Sequence, residues 1–307
     1  MGFSTSGSKI RKYRSLIPYL LNNKIQEVIV IGSAYSNHVL SFTQLLIENG
    51  LHPTLFLRGD PLRPLQGNLL LTSLFIPPSS IQWFSQSAWV NVQSLAHSYA
   101  KKQNHSTFVL LEGGFSSAAL PGTLTLPLDL LENEQKERIH FDHLFIEAGT
   151  GFTASALILG LNWLKHPVHI HVILLAEDEK AFMLRLKLCH EMFTHLIGFE
   201  TSLPCNFTLH TPLLTKNFGQ INDSLFDAIL HLARHEGFLT DPIYTAKLFM
   251  ESKQLITQEK IKGNLLIHHA GGSLTLMGFQ RQLYELLTRT PSLKYLKTNT
   301  VGYKTLI

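Results

Sequence analysis

Four turns of this chain hold the residues that could do chemistry. The first two are Gly7-Ser8-Lys9-Ile10-Arg11-Lys12, with a lysine in a glycine-flanked turn, and Gly32-Ser33-Ala34-Tyr35-Ser36-Asn37-His38, where a strand-like run breaks into small and hydroxyl residues. An amine beside polar groups at a strand end suits covalent attachment to a carbonyl cofactor. A third turn, Glu147-Ala148-Gly149-Thr150-Gly151-Phe152-Thr153-Ala154, follows an apolar run and opens a helical one. Its glycines let the backbone approach an anion, the first free N–H groups of the helix point at it, and Thr150 and Thr153 add hydroxyls: on physical grounds a phosphate cup. Gly149, Gly151 and Ala154 also fit the GxGxxA dinucleotide fingerprint, with Glu177 or Asp178 as the ribose acid, somewhat late in spacing. The fourth turn is His268-His269-Ala270-Gly271-Gly272-Ser273, whose paired glycines would let a flat ring lie against the backbone. A further segment, Asp241-Pro242-Ile243-Tyr244, breaks the chain before a helix and puts Tyr244 in its first turn. Taken singly, each of these is also an ordinary turn or helix start.

The elements that must position these turns alternate. Strands are expected at Glu27–Ile31, Pro53–Leu57, Ile81–Phe84, Phe108–Leu111, His143–Glu147, Val168–Leu175, Phe207–Leu209 and Asn264–His268, mostly short apolar runs of the kind buried on both faces. Helical patterns lie at Ser41–Asn49, Val90–Lys102, Thr153–Lys165, Glu179–Leu196, Asp223–His235 and Tyr244–Lys253. Strand–helix alternation predicts parallel sheets wound with helices on both sides, an α/β fold. Small residues and Pro121 place a boundary near Gly113–Gly122, and the longer remainder must form the larger domain.

Composition excludes several classes. The 307 residues are 45% hydrophobic and 16% charged, ample for a core and unlike a disordered chain. The net charge is +4, and Lys9, Arg11, Lys12 and Arg14 form the one dense basic cluster, so no nucleic-acid partner is expected. Two cysteines, Cys189 and Cys205, in no metal spacing, fit a reducing compartment. No run reaches a membrane span, and Pro18 breaks the one N-terminal apolar stretch. Met1–Ser6 fits the myristoylation pattern, which is short and often matched by chance. Histidines number 16, yet none falls in metal-ligand spacing: His190 and His195 are five apart, and His169 and His171 share a strand face with no third ligand evident.

In this order the motifs resemble those of the pyridoxal-phosphate (PLP) enzymes of the tryptophan-synthase-β fold type, most closely the D-cysteine desulfhydrases and aminocyclopropane-carboxylate deaminases. The family's Gly-Asn-Lys-x-Arg-Lys is similar to Gly7–Lys12, its Gln-Ser-Asn-His/Gln to Tyr35–His38, its Gly-Ser-x-Gly-Thr to Gly149–Thr153, its Asp-Pro-Val-Tyr to Asp241–Tyr244, and its His-x-Gly-Gly to His269–Gly272. The resemblance implies two α/β domains, each a mostly parallel sheet flanked by helices (PLP fold type II): residues 13–118 form a small domain, and 1–12 plus 119–307 a large PLP-binding domain. It implies Lys9 as the Schiff-base lysine and base at Cα, Asn37 on the cofactor's phenolic oxygen, and Gly149, Thr150, Gly151, Phe152 and Thr153 around the phosphate. Ala270 and Gly271 line the ring, while Ser36, Asn37, His38 and Tyr244 meet the substrate, Ser36 and Tyr244 among the catalytic set.

Departures from the family pattern shape the expected activity. Thr245 follows the motif tyrosine, as in the desulfhydrases, where the deaminases carry an acid. Phe218-Gly219 stands where the deaminases have Tyr-Gly. Both oppose cyclopropane ring opening. Ala270 replaces the threonine that meets the pyridine nitrogen in desulfhydrases, leaving Ser273 or Thr275 as substitutes; Ser8 replaces asparagine, and Phe152 a glycine. Family members usually have a longer segment before the lysine motif, which leads to the expectation of a weakly anchored Lys9. The expected protein is therefore a cytoplasmic PLP-dependent lyase acting on a small amino acid, with D-cysteine going to pyruvate, ammonia and sulfide. A homodimer is expected, with no nucleic-acid or membrane partner and no metal. The alternatives are an aminocyclopropane-carboxylate deaminase, an impaired PLP-binding relative, and a nicotinamide-dependent oxidoreductase.

Overall fold

The structure, a computed structural model, describes residues 7–62, 64–214 and 219–288. The myristoylation pattern at Met1–Ser6 and the Phe218 position therefore lie outside the described residues. Two four-stranded sheets organise the rest. The first contains β1 (Glu27–Ser33), β2 (His52–Arg58), β3 (Ile81–Phe84) and β4 (Thr107–Leu110) in the order β3-β2-β1-β4, every pair parallel. The second contains β5 (His143–Ala148), β6 (His169–Leu174), β7 (Phe207–His210) and β8 (Leu265–Ile267) in the order β7-β6-β5-β8, again parallel throughout. These are the eight strands expected from the sequence, with no end displaced by more than two residues and β3 at its expected bounds.

The helices, in chain order, are α1 (Ile10–Asn22), α2 (Asn37–Glu48), α3 (Gly67–Phe75), α4 (Gln86–Trp89), α5 (Val92–Ala100), α6 (Leu120–Thr123), α7 (Thr125–Glu137), α8 (Phe152–Trp163), α9 (Glu179–Ile197), α10 (Asp223–His235), α11 (Thr245–Gln258) and α12 (Gln280–Thr288). Among these, α1, α3, α4, α6, α7 and α12 were not anticipated. The α1 segment contains Pro18, which reads as a breaker, but Tyr13, Leu16, Ile17 and Leu20 bury a continuous stripe that outweighs one lost backbone bond. Each fully buried aliphatic side chain in such a stripe contributes about 2 kcal/mol, against about 3 kcal/mol for the proline.

Parallel strands require crossovers, and the helices on both faces supply the core. On the first sheet Val28, Val30, Leu55 and Leu57 face one way and pack with α1 and α2, while Ile29, Ile31 and Phe56 pack against Val92 and Ala96 of α5. On the second sheet Leu144, Ile146 and Val172 meet α8 and α9, while Phe145 and Ile173 meet Leu248 and Leu255 of α11. One continuous apolar cluster joins the inner faces of both sheets through Leu16, Leu20 and Leu120. No helix among the described residues is long and apolar enough to cross a membrane.

The two sheets share a topology. In each, the first strand is central and the order reverses beside it, so its C-terminal end opens on a crevice where ligands of doubly wound sheets bind. The loop after β1 is Ala34–Ser36, and the loop after β5 is Gly149–Gly151. These are two of the turns that the residue types single out.

Candidate active site

The C-terminal ends of both sheets line a cavity of about 300 Å³. All twelve sequence-predicted site residues reach it: Lys9, Ser36, Asn37, His38, Gly149, Thr150, Gly151, Phe152, Thr153, Tyr244, Ala270 and Gly271. Residues more than two hundred positions apart are brought together because β8 docks beside β5 and leads directly into Ala270–Gly272.

Lys9 ends a short 3-10 turn, Gly7–Lys9, and caps the start of α1. The turn is tied across the cavity floor, where Ser8 N–H donates to Ala270 O at 2.9 Å. Its glycine is obligatory on two counts: φ is +51°, and a Cβ there would run into the Ala270 carbonyl. Lys9 has no hydrogen-bond or ion-pair partner among the described residues. Burial lowers its pKa, partly opposed by the carboxylates of Glu147 and Asp241. A desolvated, unpaired amine is a nucleophile in waiting.

Lys12, one helical turn on, is buried and donates to Gly113 O at 2.7 Å. Burial, and then the neighbouring Lys9, push its pKa down to about 7. Its Nζ stands 5.0 Å from the centre of the Phe152 ring. Phe152 itself is turned into the core against Phe115, so the side chain that replaces a small residue in this loop leaves the cavity open. Gly151 is the N-cap of α8 in the left-handed region, φ +77°, and supplies no capping side chain. The first intrahelical bond recorded at this end is Ser155 N–H to Gly151 O, so the earlier N–H groups are left for an anion.

Across the cavity, Ser36 caps α2 by accepting from His38 N–H at 3.1 Å, which leaves its hydroxyl hydrogen free to donate. Asn37 is nearly buried. Its Oδ1 accepts from Asn68 Nδ2 at 2.8 Å and from Thr275 Oγ1 at 2.9 Å, so its amide N–H₂ is the end presented to Gly272 and the cavity. Thr275 thus acts on Asn37 and does not replace the hydroxyl missing at Ala270; Ser273 does not line the cavity. His38 is buried edge-on to Phe42 and held neutral, first by burial and then by Lys12 and Lys9. Asp241 fixes the start of α11: its carboxylate accepts from the N–H groups of Ile243, Tyr244 and Thr245 and from the Thr245 hydroxyl. Tyr244 then lies against Gly149, where a Cβ would stand 3.1 Å from its ring. Burial, followed by Asp241, Glu112 and Glu147, keeps the Tyr244 hydroxyl protonated.

Sequence reasoning assigned no role to four charged residues that face this space: Lys12, Arg58, Glu112 and Glu147. Glu147 Oε2 is buried with no hydrogen-bond partner, and burial raises its pKa to about 8. Its signal was a single acid ending an apolar strand directly before the glycine turn. Arg58 likewise ends β2. His268 lines the cavity while His269 turns away and bonds Leu239 O at 2.9 Å, the opposed pointing expected of neighbours on an extended segment. His169 and His171 do share a face, in a chain of rings where His171 bonds His143 at 3.0 Å and His210 at 2.9 Å, at the far end of the sheet from the cavity. Asp178 caps α9 by accepting from Ala181 N–H, so that candidate ribose acid is already engaged.

A planar ring bearing an aldehyde and a phosphate fits these residues. There is a free amine, an uncapped helix N-terminus beside Lys12, an amide donor on Asn37, and glycines at 149, 271 and 272 where any Cβ would crowd Tyr244, Gly7 or Asn37.

No family profile matches the chain. It is 25% identical over 289 residues to a Pyrococcus horikoshii protein provisionally named 1-aminocyclopropane-1-carboxylate deaminase, covering 93% of this chain and 86% of that protein. It is 26% identical over 288 residues to a D-cysteine desulfhydrase of Yersinia enterocolitica, covering 90% and 85%. Among solved structures, that of an ACC deaminase homologue superposes with a TM-score of 0.77 at 22% identity, over 91% of this chain and 84% of that one.

Proposed function

We propose that this chain, which has the fold of the type II PLP enzymes and is similar along most of its length to D-cysteine desulfhydrases and aminocyclopropane-carboxylate deaminases, is a PLP-dependent lyase. It releases pyruvate and ammonia from a small amino acid with a leaving group on Cβ, sulfide in the case of D-cysteine. The observation that carries this is the unpaired, desolvated amine of Lys9 in a cavity that also holds an uncapped helix N-terminus.

Lys9 would hold the cofactor covalently, the N–H groups opening α8 with Thr150, Thr153 and Lys12 would grip its phosphate, and the Asn37 amide would meet its phenolic oxygen. When bound, the cofactor supplies an electron sink for charge left on the substrate's Cα. The Lys9 amine, once free, would take the Cα proton, and the lowering of its pKa by burial favours the neutral, basic form. The N-terminus of α2 and the Ser36 hydroxyl hold the α-carboxylate. Tyr244, kept protonated by burial, donates a hydrogen bond and does not act as a base. Departure of the Cβ group leaves an enamine product that water converts to pyruvate and ammonia.

Thr245 argues against cyclopropane opening: the position after Tyr244, where the deaminases carry an acid, holds a fully buried threonine bonded to Asp241. The same reading assigns residues 13–118 to a smaller domain, the cytoplasm as location and a homodimer as the working form, the last checked by sedimentation. The test of function is a scan of protein soaked with PLP. A band near ~420 nm, absent in Lys9→Ala, with pyruvate and sulfide from D- or L-cysteine, is expected. Protein that takes up no chromophore would sink the reading.

A further inference from the structure

We propose that Arg58 determines specificity by binding a second anionic group, carried on Cβ of the substrate, so that the site prefers amino acids with anionic side chains. This rests on the lyase reading above and names its substrate class.

The guanidinium is in the right place. Arg58 is the last residue of β2, directly opposite Ser33 in the parallel register, and its carbonyl accepts from Ala34 N–H at 3.3 Å. It lines the cavity with Ser33, Ser36 and Tyr244, and its charge is felt by the Tyr244 hydroxyl and the Glu112 carboxyl. Its Cζ lies 5.3 Å from the centre of the Trp89 ring. Stacking on an indole fixes the plane of the fork and leaves its N–H edge for a ligand.

The charge is uncommitted. Arg58 has no ion pair or hydrogen bond to a carboxylate among the described residues, whereas Arg11 is paired with Asp129 at 2.5 Å and Arg281 with Glu285 at 2.9 Å. Glu112 lies close enough to Arg58 for its charge to be felt, but its carboxylate is occupied by the Trp89 N–H and burial raises its pKa. A half-buried cation left unpaired in a cavity wall is costly unless a ligand meets it. The α-carboxylate does not need it, because the α2 N-terminus and Ser36 already provide for that group. What remains is the far end of the substrate.

The chemistry is consistent. In the elimination the Cα–H bond breaks and its proton goes to a base, and the Cβ–X bond breaks with its electron pair leaving on X. An X that departs as sulfate, phosphate or hydrosulfide carries its full charge against Arg58, and a thiolate is the smallest such group.

Aspartate and asparagine, in both enantiomers, match in size and differ in charge, and neither has a leaving group. Titrated into the PLP-loaded protein and followed by tryptophan fluorescence, aspartate should bind about tenfold more tightly than asparagine in one enantiomeric series. Arg58→Met should bring the ratio to within about twofold of one, Arg58→Lys should keep part of the preference, and Glu112→Gln should widen it. In turnover, the kcat/KM ratio of serine O-sulfate to β-chloroalanine should fall about tenfold in Arg58→Met, mainly through KM. Equal binding of the two amino acids by the unaltered protein, or a preference that survives Arg58→Met, overturns the proposal. If Arg58→Met does not fold, Glu112→Gln decides, and no widening of the ratio counts against it. A protein with no PLP band fails the lyase reading instead, so the two failures are separable.

Discussion

Two glutamates on the central strands of the two sheets are buried to opposite effect. Glu27 opens β1 at the end away from the cavity. It is 2% exposed and accepts from Thr54, His105 at 2.8 Å, Thr107 at 3.2 Å and Tyr99 at 3.3 Å. Burial alone would raise its pKa, but these hydrogen bonds outweigh burial and lower it. Glu147 is the next-to-last residue of β5, at the cavity end, with one oxygen buried and unpartnered and a pKa near 8. A carboxylate supplied with four donors is a device for holding strands and loops together. One left without them is a cost that the fold alone does not recover. The contrast separates the scaffold from the site on physical grounds.

The largest effect that sharpens the contrast lies in the site. Lys9→Ala should abolish both the band near ~420 nm and pyruvate formation while leaving the melting temperature of the cofactor-free protein within about 2 °C, since Lys9 makes no contact that the fold uses. A melting loss of many degrees would mean that the lysine is scaffold. Next in size, Glu27→Gln should destabilise by about 3 kcal/mol at pH 7, because the amide cannot accept from every donor now arranged around the carboxylate. Denaturant titration reads this directly. The pH dependence follows from the sign of the shift. Glu27 binds protons less readily folded than unfolded, so its contribution is present above the unfolded pKa and is lost as pH falls below about 4.5 through the lower folded value. His171, whose pKa burial and then His210, His169 and His143 push down to about 3, works in the same direction between about pH 6.5 and 3.

Glu147 gives the opposite slope. Its pKa is raised, so the folded state keeps a proton that the unfolded chain gives up, and stability is lost as pH rises from about 4.5 toward 8. Glu147→Gln, which cannot ionise, should therefore be stabilising at pH 8.5 by about 2 kcal/mol and nearly neutral at pH 5. Equal effects at both pH values would show that the carboxyl is paired after all. Smallest of all, Thr275→Val removes one donor to Asn37 Oδ1 and should weaken PLP affinity about fivefold, roughly 1 kcal/mol, with little change in melting temperature. Equilibrium dialysis against PLP checks it.

Much of this was legible in the residues. Parallel strands buried on both faces are apolar runs with sharp polar ends, which is why all eight were visible. The four glycine-bearing turns announce themselves because a close backbone approach excludes side chains. Helix α1 was hidden by Pro18, and α3 and α7 by runs in which leucines fall on more than one face. The site residues found from the sequence were those carried by local motifs. Glu147 and Arg58 were not found, because each is a single charge at a strand end. Whether such a charge is paired or left open depends on residues brought to it from the other end of the chain. Thr275 was considered for the wrong partner for the same reason: its bond to Asn37 spans 238 positions.

That span has a consequence for how the protein is made. Lys9 is translated more than two hundred residues before the segment that completes the wall facing it, Asp241 to Thr275. A nascent chain therefore has no complete place for the vitamin until that later segment has also emerged, and bringing the two ends of so long a loop together carries an entropic cost. Uptake of PLP is then a timestamp of completed folding, and vitamin supply sets how much finished protein is held in the native state by mass action.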